Sequence, residues 1–309
     1  MTVGVPSSVL SRYARFSLYN SPYPAHDCGC AIDLYPGTLE DGRTTAAPSP
    51  VSGVVRETRT VRAPPKPYAP THDHLLLVDC DEPPELEGLI ARILHVEPAV
   101  EAGDRVEMGD SLGELVRAGF FAPWVDNHLH VGVRRPDQNL RRATGSLRLE
   151  PDVEIRPLAW DGTGTVVATG ETYAVLDAPT HPNPGPEFVG IGVGRGNGDH
   201  ADGFAGVLDG GLPHYDGGGL LETNHRRTRG VSDHGTPEGP LTLAGERIGT
   251  LETDGRTINW DDVVVTANGD PVTGLSTFCA RDGGFGAKLV GSDHGLAVGE
   301  RVRVGVRRG

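Results

Sequence analysis

No apolar pattern at helical spacing persists for more than a few turns anywhere in this sequence. Short apolar runs instead end again and again at Gly, Pro or Asp, the pattern of strands closed by turns. The 44 Gly and 25 Pro are spread between these runs and are not gathered into a low-complexity tract. A chain patterned this way buries its apolar surface by packing sheets, so the expected fold class is all-β. At 309 residues it is long enough for two domains, each with its own core.

Charge and cysteine usage exclude several functions. A net charge of -14 leaves no concentrated basic face for phosphates, so no nucleic-acid partner is expected. The lead from Met1 to Asn20 has two arginines but no apolar h-region, and no apolar run is long enough to span a bilayer. The chain therefore reads as cytoplasmic, without a membrane span. Cys28, Cys30, Cys80 and Cys279 are too few and too scattered for a secreted disulfide framework.

The densest chemistry lies in Asn127-His128-Leu129-His130-Val131-Gly132-Val133. Side chains alternate along a strand, so His128 and His130 share one face while Leu129, Val131 and Val133 take the other. Two imidazoles on one wall can hold a metal and move protons, since both titrate near neutral pH. Upstream, Cys30 to Tyr35 reads as a short strand on which Ala31, Asp33 and Tyr35 share a face, with His26 in the loop that feeds it. Cys30 stands an odd number of residues from Asp33 and faces away. Gly88 to Val96 reads as a further strand carrying His95, and Val100 to Val116 as two strands around a tight turn. The pair His72 and His74, at the mouth of an apolar strand after a Pro-rich loop, is a rival His-x-His.

Taken in chain order, these are His26, Asp33, the strand in Pro50-Val51-Ser52-Gly53-Val54-Val55, His95, the hairpin Val100 to Leu115, and His128-Leu129-His130. That order resembles the lysostaphin/LytM-type zinc metallopeptidases from about Ala25 to Arg134. Ile93 to Val96 is similar to the family's Tyr-Ala-His-Leu. The resemblance implies a duplicated-hybrid-motif (lysostaphin/LytM-like) β-domain over residues 1–148 that binds one Zn2+ through His26, Asp33 and His130. His95 and His128 would stand beside the metal-bound water, one taking its proton and the other stabilising the oxyanion, in attack on a peptide bond of a peptide or peptidoglycan-like substrate.

In the family the first His stands four residues before the Asp, whereas here that position is Gly29. His26 reaches the metal only if Asp27 to Ile32 bulges; otherwise two ligands remain, or Asp27 or Cys30 joins them. The alternative is a non-catalytic relative that keeps the β-fold as a binding or assembly module. Biotinyl and lipoyl carriers share the architecture but need a lysine at the exposed hairpin turn. Lys66 and Lys288, the only two lysines, both lie outside Val100 to Leu115.

Residues 149–309 read as a second, Gly-rich all-β barrel or sandwich, an accessory domain shaping substrate access. The Gly-dense stretch Gly190 to Gly219 reads as a loop. Within it Gly196-Asn197-Gly198-Asp199 makes a single faint match to a calcium-binding repeat. His200, His214, His225 and His234, with Asp202, Asp216 and Asp233, could build a second metal site, and the sequence does not choose among them.

Overall fold

The structure, a computed structural model, describes residues 1–39, 43–196, 203–222 and 239–309. It is all-β: among the described residues the one α-helix is the single turn Ser7–Leu10. The chain divides into two compact units, Met1–Leu18 with Tyr23–Val153, and Glu154–Gly309 with Tyr19–Pro22. No helix among the described residues is long and apolar enough to cross a membrane.

The first unit comprises β1 (Thr2–Pro6), β2 (Arg15–Ser17), β3 (Ile32–Tyr35), β4 (Ala46–Pro48), β5 (Ser52–Arg62), β6 (His72–Glu82), β7 (Ile90–Leu94), β8 (Val96–Pro98), β9 (Arg105–Val106), β10 (Ser111–Leu115), β11 (Leu129–Arg134) and β12 (Arg148–Asp152). Seven of them form an antiparallel sheet in the order β2-β3-β11-β7-β6-β5-β9. A smaller antiparallel sheet joins β4, β10 and β8, and β1 runs parallel to β12.

The central strands are covered on both faces, which explains why Leu75 to Val78 reads as a continuous apolar run. On one face Leu34, Leu129, Val131, Val133, Ala91, Ile93, Leu76 and Val78 are all buried, each contributing about 1.5–3 kcal/mol where a large side chain leaves water. On the other, Asp33, His130, Leu94 and Leu75 form one row across β3, β11, β7 and β6. Leu75 and Leu94 of this row join Leu77 and Ile90 in a local core.

Val100 to Val116 departs from the expected hairpin, because its two strands do not pair with each other. β9 pairs with β5, whereas β10 pairs with β4 and β8. The cause is a pair of successive Glu-x-Gly-Asp turns, Glu101 to Asp104 and Glu107 to Asp110. In each the Asp Oδ2 accepts from the Glu backbone N–H, and Gly103 and Gly109 take φ of 102° and 96°. The second turn carries the chain into the other sheet.

In the second unit Gly190 to Gly219 is not the expected loop. Its described parts form strands Phe188–Arg195, Gly206–Leu212 and Gly217–Leu221, paired antiparallel in sequence order. The glycines serve close packing: a Cβ at Gly192 would run into the Phe204 ring, at Gly218 into Trp260, and at Gly219 into Tyr19. Aromatic rings thus lie directly on strand backbone. Asn197 to Asp199 lie outside the described residues.

Candidate metal centre

His26 closes the loop that feeds β3. Between it and the strand, Asp27–Gly29 make one 3-10 turn in which Cys28 and Gly29 adopt left-handed backbone at φ 56° and 69°. This turn takes up the additional residues between His26 and Asp33 and sets the His26 ring against the strand. Its Nδ1 lies 2.8 Å from the Leu18 carbonyl oxygen. A carbonyl can only accept, so Nδ1 carries a proton, and in the neutral tautomer the lone pair stands at Nε2.

That lone pair meets two others. His26 Nε2 is 3.0 Å from His130 Nδ1 and 3.3 Å from Asp33 Oδ1, and His130 Nδ1 is 3.1 Å from the same oxygen. All three residues are buried. Bonds of about 2.0–2.1 Å in a tetrahedral zinc site place neighbouring ligand atoms roughly 3.3 Å apart, so the set fits such an ion in both chemistry and separation. Among the described residues no other group of three or more His, Cys, Asp or Glu has metal-ligand spacing, and neither Asp27 nor Cys30 belongs to this one.

His95 reaches the site by breaking its strand. Leu94 pairs with His130, so regular alternation would send His95 to the opposite face. The expected strand from Gly88 through Val96 instead stops at Leu94, and His95 takes φ 72° before β8 begins. This conformation costs roughly 1–2 kcal/mol. It turns the ring inward, 5.2 Å from the His128 ring and 5.8 Å from that of His130 between centroids.

The restraint on His95 is a residue that sequence reasoning missed. Asp73 is 0% exposed; its Oδ2 stands 2.6 Å from His95 Nδ1 while its Oδ1 accepts from the His74 backbone N–H. It sits between the rival histidines His72 and His74, whose rings pack against each other at 5.7 Å. Alternation puts those two on the other face and Asp73 with Leu75 and Leu77, so a carboxylate in register with an inward apolar row was the signal available.

His128 lies just before β11. Its Nδ1 is 2.9 Å from the Asp126 carbonyl oxygen and its Nε2 is 3.4 Å from Asp33 Oδ2. The ring stacks on Phe121 at 4.5 Å and leans on Tyr35 at 4.9 Å. Asp126 is itself fixed by a buried ion pair with Arg15 at 3.1 Å. The five polar residues singled out in the sequence therefore occupy one buried neighbourhood.

Burial lowers His130 to about 3 and His128 to about 4, outweighing their attraction to Asp33. For Asp33, burial pushes the carboxyl up, but His128, His26 and the contact with His130 hold it well below the usual range. Asp73 follows the same balance, with His95 as its main stabilising partner. At neutral pH the cluster thus combines the Asp33 carboxylate with the neutral rings of His128 and His130, the protonation state in which such groups ligate metals.

The second candidate set is different. His200, His225, His234, Asp202 and Asp233 lie outside the described residues. His214 packs on Tyr215 at 4.4 Å, and Asp216 is exposed.

Fold and site together define a two-domain all-β protein whose first domain buries a His-Asp-His cluster with the donor set of a metal centre. Residues 4–151 match the model described as Domain of unknown function (DUF8155) N-terminal domain, and residues 156–307 match the DUF8155 C-terminal domain. The chain belongs to the DUF8155 family. No curated protein matches the sequence. A solved structure titled "A Novel M23 Metalloprotease Pseudoalterin from Deep-sea" aligns at 18% identity over 45% of this chain and 73% of that one, with a TM-score of 0.29.

Proposed function

We propose that the first unit is a zinc-dependent hydrolase of the lysostaphin/LytM type that cleaves a peptide bond in a peptide or peptidoglycan-like substrate. The observation that carries this reading is the convergence of His26 Nε2, His130 Nδ1 and Asp33 Oδ1 at 3.0–3.3 Å, with the His26 proton already committed to Leu18. When bound there, the metal supplies Lewis-acid polarisation of water and of the scissile carbonyl.

The remaining chemistry falls to this chain's own side chains. His95 donates from Nδ1 to Asp73, which leaves Nε2 to take a proton from the attacking water and return it to the leaving amine. Asp73 holds the ring's tautomer and balances the imidazolium formed in between. His128 donates from Nδ1 to the Asp126 carbonyl, so its Nε2 accepts a hydrogen bond from the water and orients it. Once protonated, His95 also offers an N–H to the developing oxyanion. A module that merely binds metal needs no Asp73–His95 pair, and this favours the hydrolase over the non-catalytic alternative.

Elemental analysis of full-length protein purified without chelator or affinity tag tests the reading. About one zinc per chain, lost in His130→Ala together with cleavage of peptide substrates, is the expected result. Stoichiometric zinc in His130→Ala would overturn the ligand assignment; zinc present without any peptide cleavage would leave the non-catalytic module.

A further inference from the structure

Arg92 is a cation that the proposed mechanism does not use. It stands on β7 opposite Gly132 of β11 and Leu77 of β6. Its side chain therefore leaves the sheet on the face that carries His130, one row away, or about 7 Å at two residues of strand rise. Around it the sheet presents Leu77, Ile90 and Leu94.

The residue is only 7% exposed, and its Nε is shut off from solvent without a hydrogen-bond partner. Among the described residues no carboxylate or carbonyl accepts from its guanidinium. Asp73 is the carboxylate whose charge reaches it, yet its oxygens bond elsewhere, one to His95 and the other to the His74 N–H. Arg134 adds a like charge nearby. The contrast with Arg134 is instructive: that guanidinium is also buried, but it spends its N–H groups on Ser146 Oγ and the carbonyls of Asn139, Arg142 and Thr144. Arg134 is the hub of a loop, whereas Arg92 organises nothing.

A buried cation with no hydrogen-bonded counter-ion is costly, and an apolar side chain of similar size would suit these neighbours better. Such a group is matched to an anion that arrives from outside, and a planar guanidinium fork suits a carboxylate. We propose that Arg92 is the anion-recognition residue of this site and selects peptides bearing an acidic side chain within two residues of the bond to be cut. An extended peptide covers one sheet row in two residues, which sets that register. The inference rests on the hydrolase reading for its substrate class, while anion binding itself does not.

The test is calorimetric binding of two peptides to the full chain, as purified and after zinc addition. One is acetyl-Ala-Ala-Glu-Ala-Ala-amide and the other is its Gln counterpart. The expected result is a preference of about tenfold or more for Glu, abolished in Arg92→Met with zinc content unchanged and partly kept in Arg92→Lys. Equal binding of the two peptides, no binding of either, or a preference that survives Arg92→Met would overturn the proposal. So would an Arg92→Met variant that gains thermal stability with no change in binding. Failure of the hydrolase reading looks different: the Glu preference persists and neither peptide is cut.

Discussion

Each unit contains a histidine made less basic by burial, His130 in the first and His214 in the second, at about 3 and about 4. Their surroundings differ. His130 Nδ1 faces a carboxylate oxygen and another imidazole nitrogen at 3.0–3.1 Å. His214 is wedged against Tyr215 and the backbones of Gly211 and Gly274, and burial is the main cause of its lowered basicity. Loss of basicity therefore reports burial first and does not by itself mark a site. What makes a candidate centre is the convergence of lone pairs whose protons are already held elsewhere, as the Leu18 and Asp126 carbonyls hold those of His26 and His128.

The sharpest way to break this contrast is to delete one histidine from each unit. His26→Ala should lose the bound metal, with affinity falling by at least about 100-fold on the scale of losses seen even for outer-shell changes, while His214→Ala should keep it; elemental analysis of both decides. A second change stays within the first unit. Asp73→Asn removes the charge behind His95 but no ligand, so peptide cleavage should fall by about 10²–10⁴-fold with zinc retained. An equal loss of zinc would make Asp73 a structural residue.

Acid should weaken both units in the absence of metal, the first more than the second. Both His128 and His214 are lowered to about 4 in the folded protein, against about 6.5 unfolded. Between these values the unfolded chain binds more protons, so stability is present above pH 6.5 and lost as pH falls toward 4. The loss is on the order of 3 kcal/mol for each of these two groups, and His130 adds to it in the first unit. Asp33 acts in the same direction below its own unfolded value. Hydrogen exchange of metal-free protein at pH 7 and pH 4 should show weakened protection in both units. Zinc at pH 7 should raise protection around His26, Asp33 and His130 and leave the region of His214 unchanged.

The smallest effect belongs to the second unit. Gly218→Ala would push a methyl into the Trp260 ring and should cost about 1–3 kcal/mol in denaturant unfolding. Metal content should not change; if it does, the independence of the site from these strands fails.

Much of the candidate site was legible because a strand's side chains alternate strictly. Asp33, His128 and His130 fall on one face from spacing alone, and the apolar residues between them fall on the other. His95 was not legible by that rule, which places it on the wrong side of the sheet; only a left-handed residue at the strand end corrects it. Asp73 was hidden between two more conspicuous histidines. The Gly-dense strands misled for a related reason: glycine reads as a turn signal, and its other use, admitting an aromatic ring onto the backbone, requires knowing where Phe204, Trp260 and Tyr19 lie.

The sequence by itself determined the all-β class, through short apolar runs closed by turn residues, and the shared face of Asp33, His128 and His130, through the two-residue period of strands. Tertiary structure alone decided that His26 completes the set, that His95 turns inward, that Asp73 stands behind it and that Arg92 is left without a hydrogen-bonded counter-ion. The reason is physical. Alternation is a local property of backbone geometry, whereas these four placements depend on two left-handed turns and on pairings between strands, whose energies are set by the partners each residue meets across the sheet.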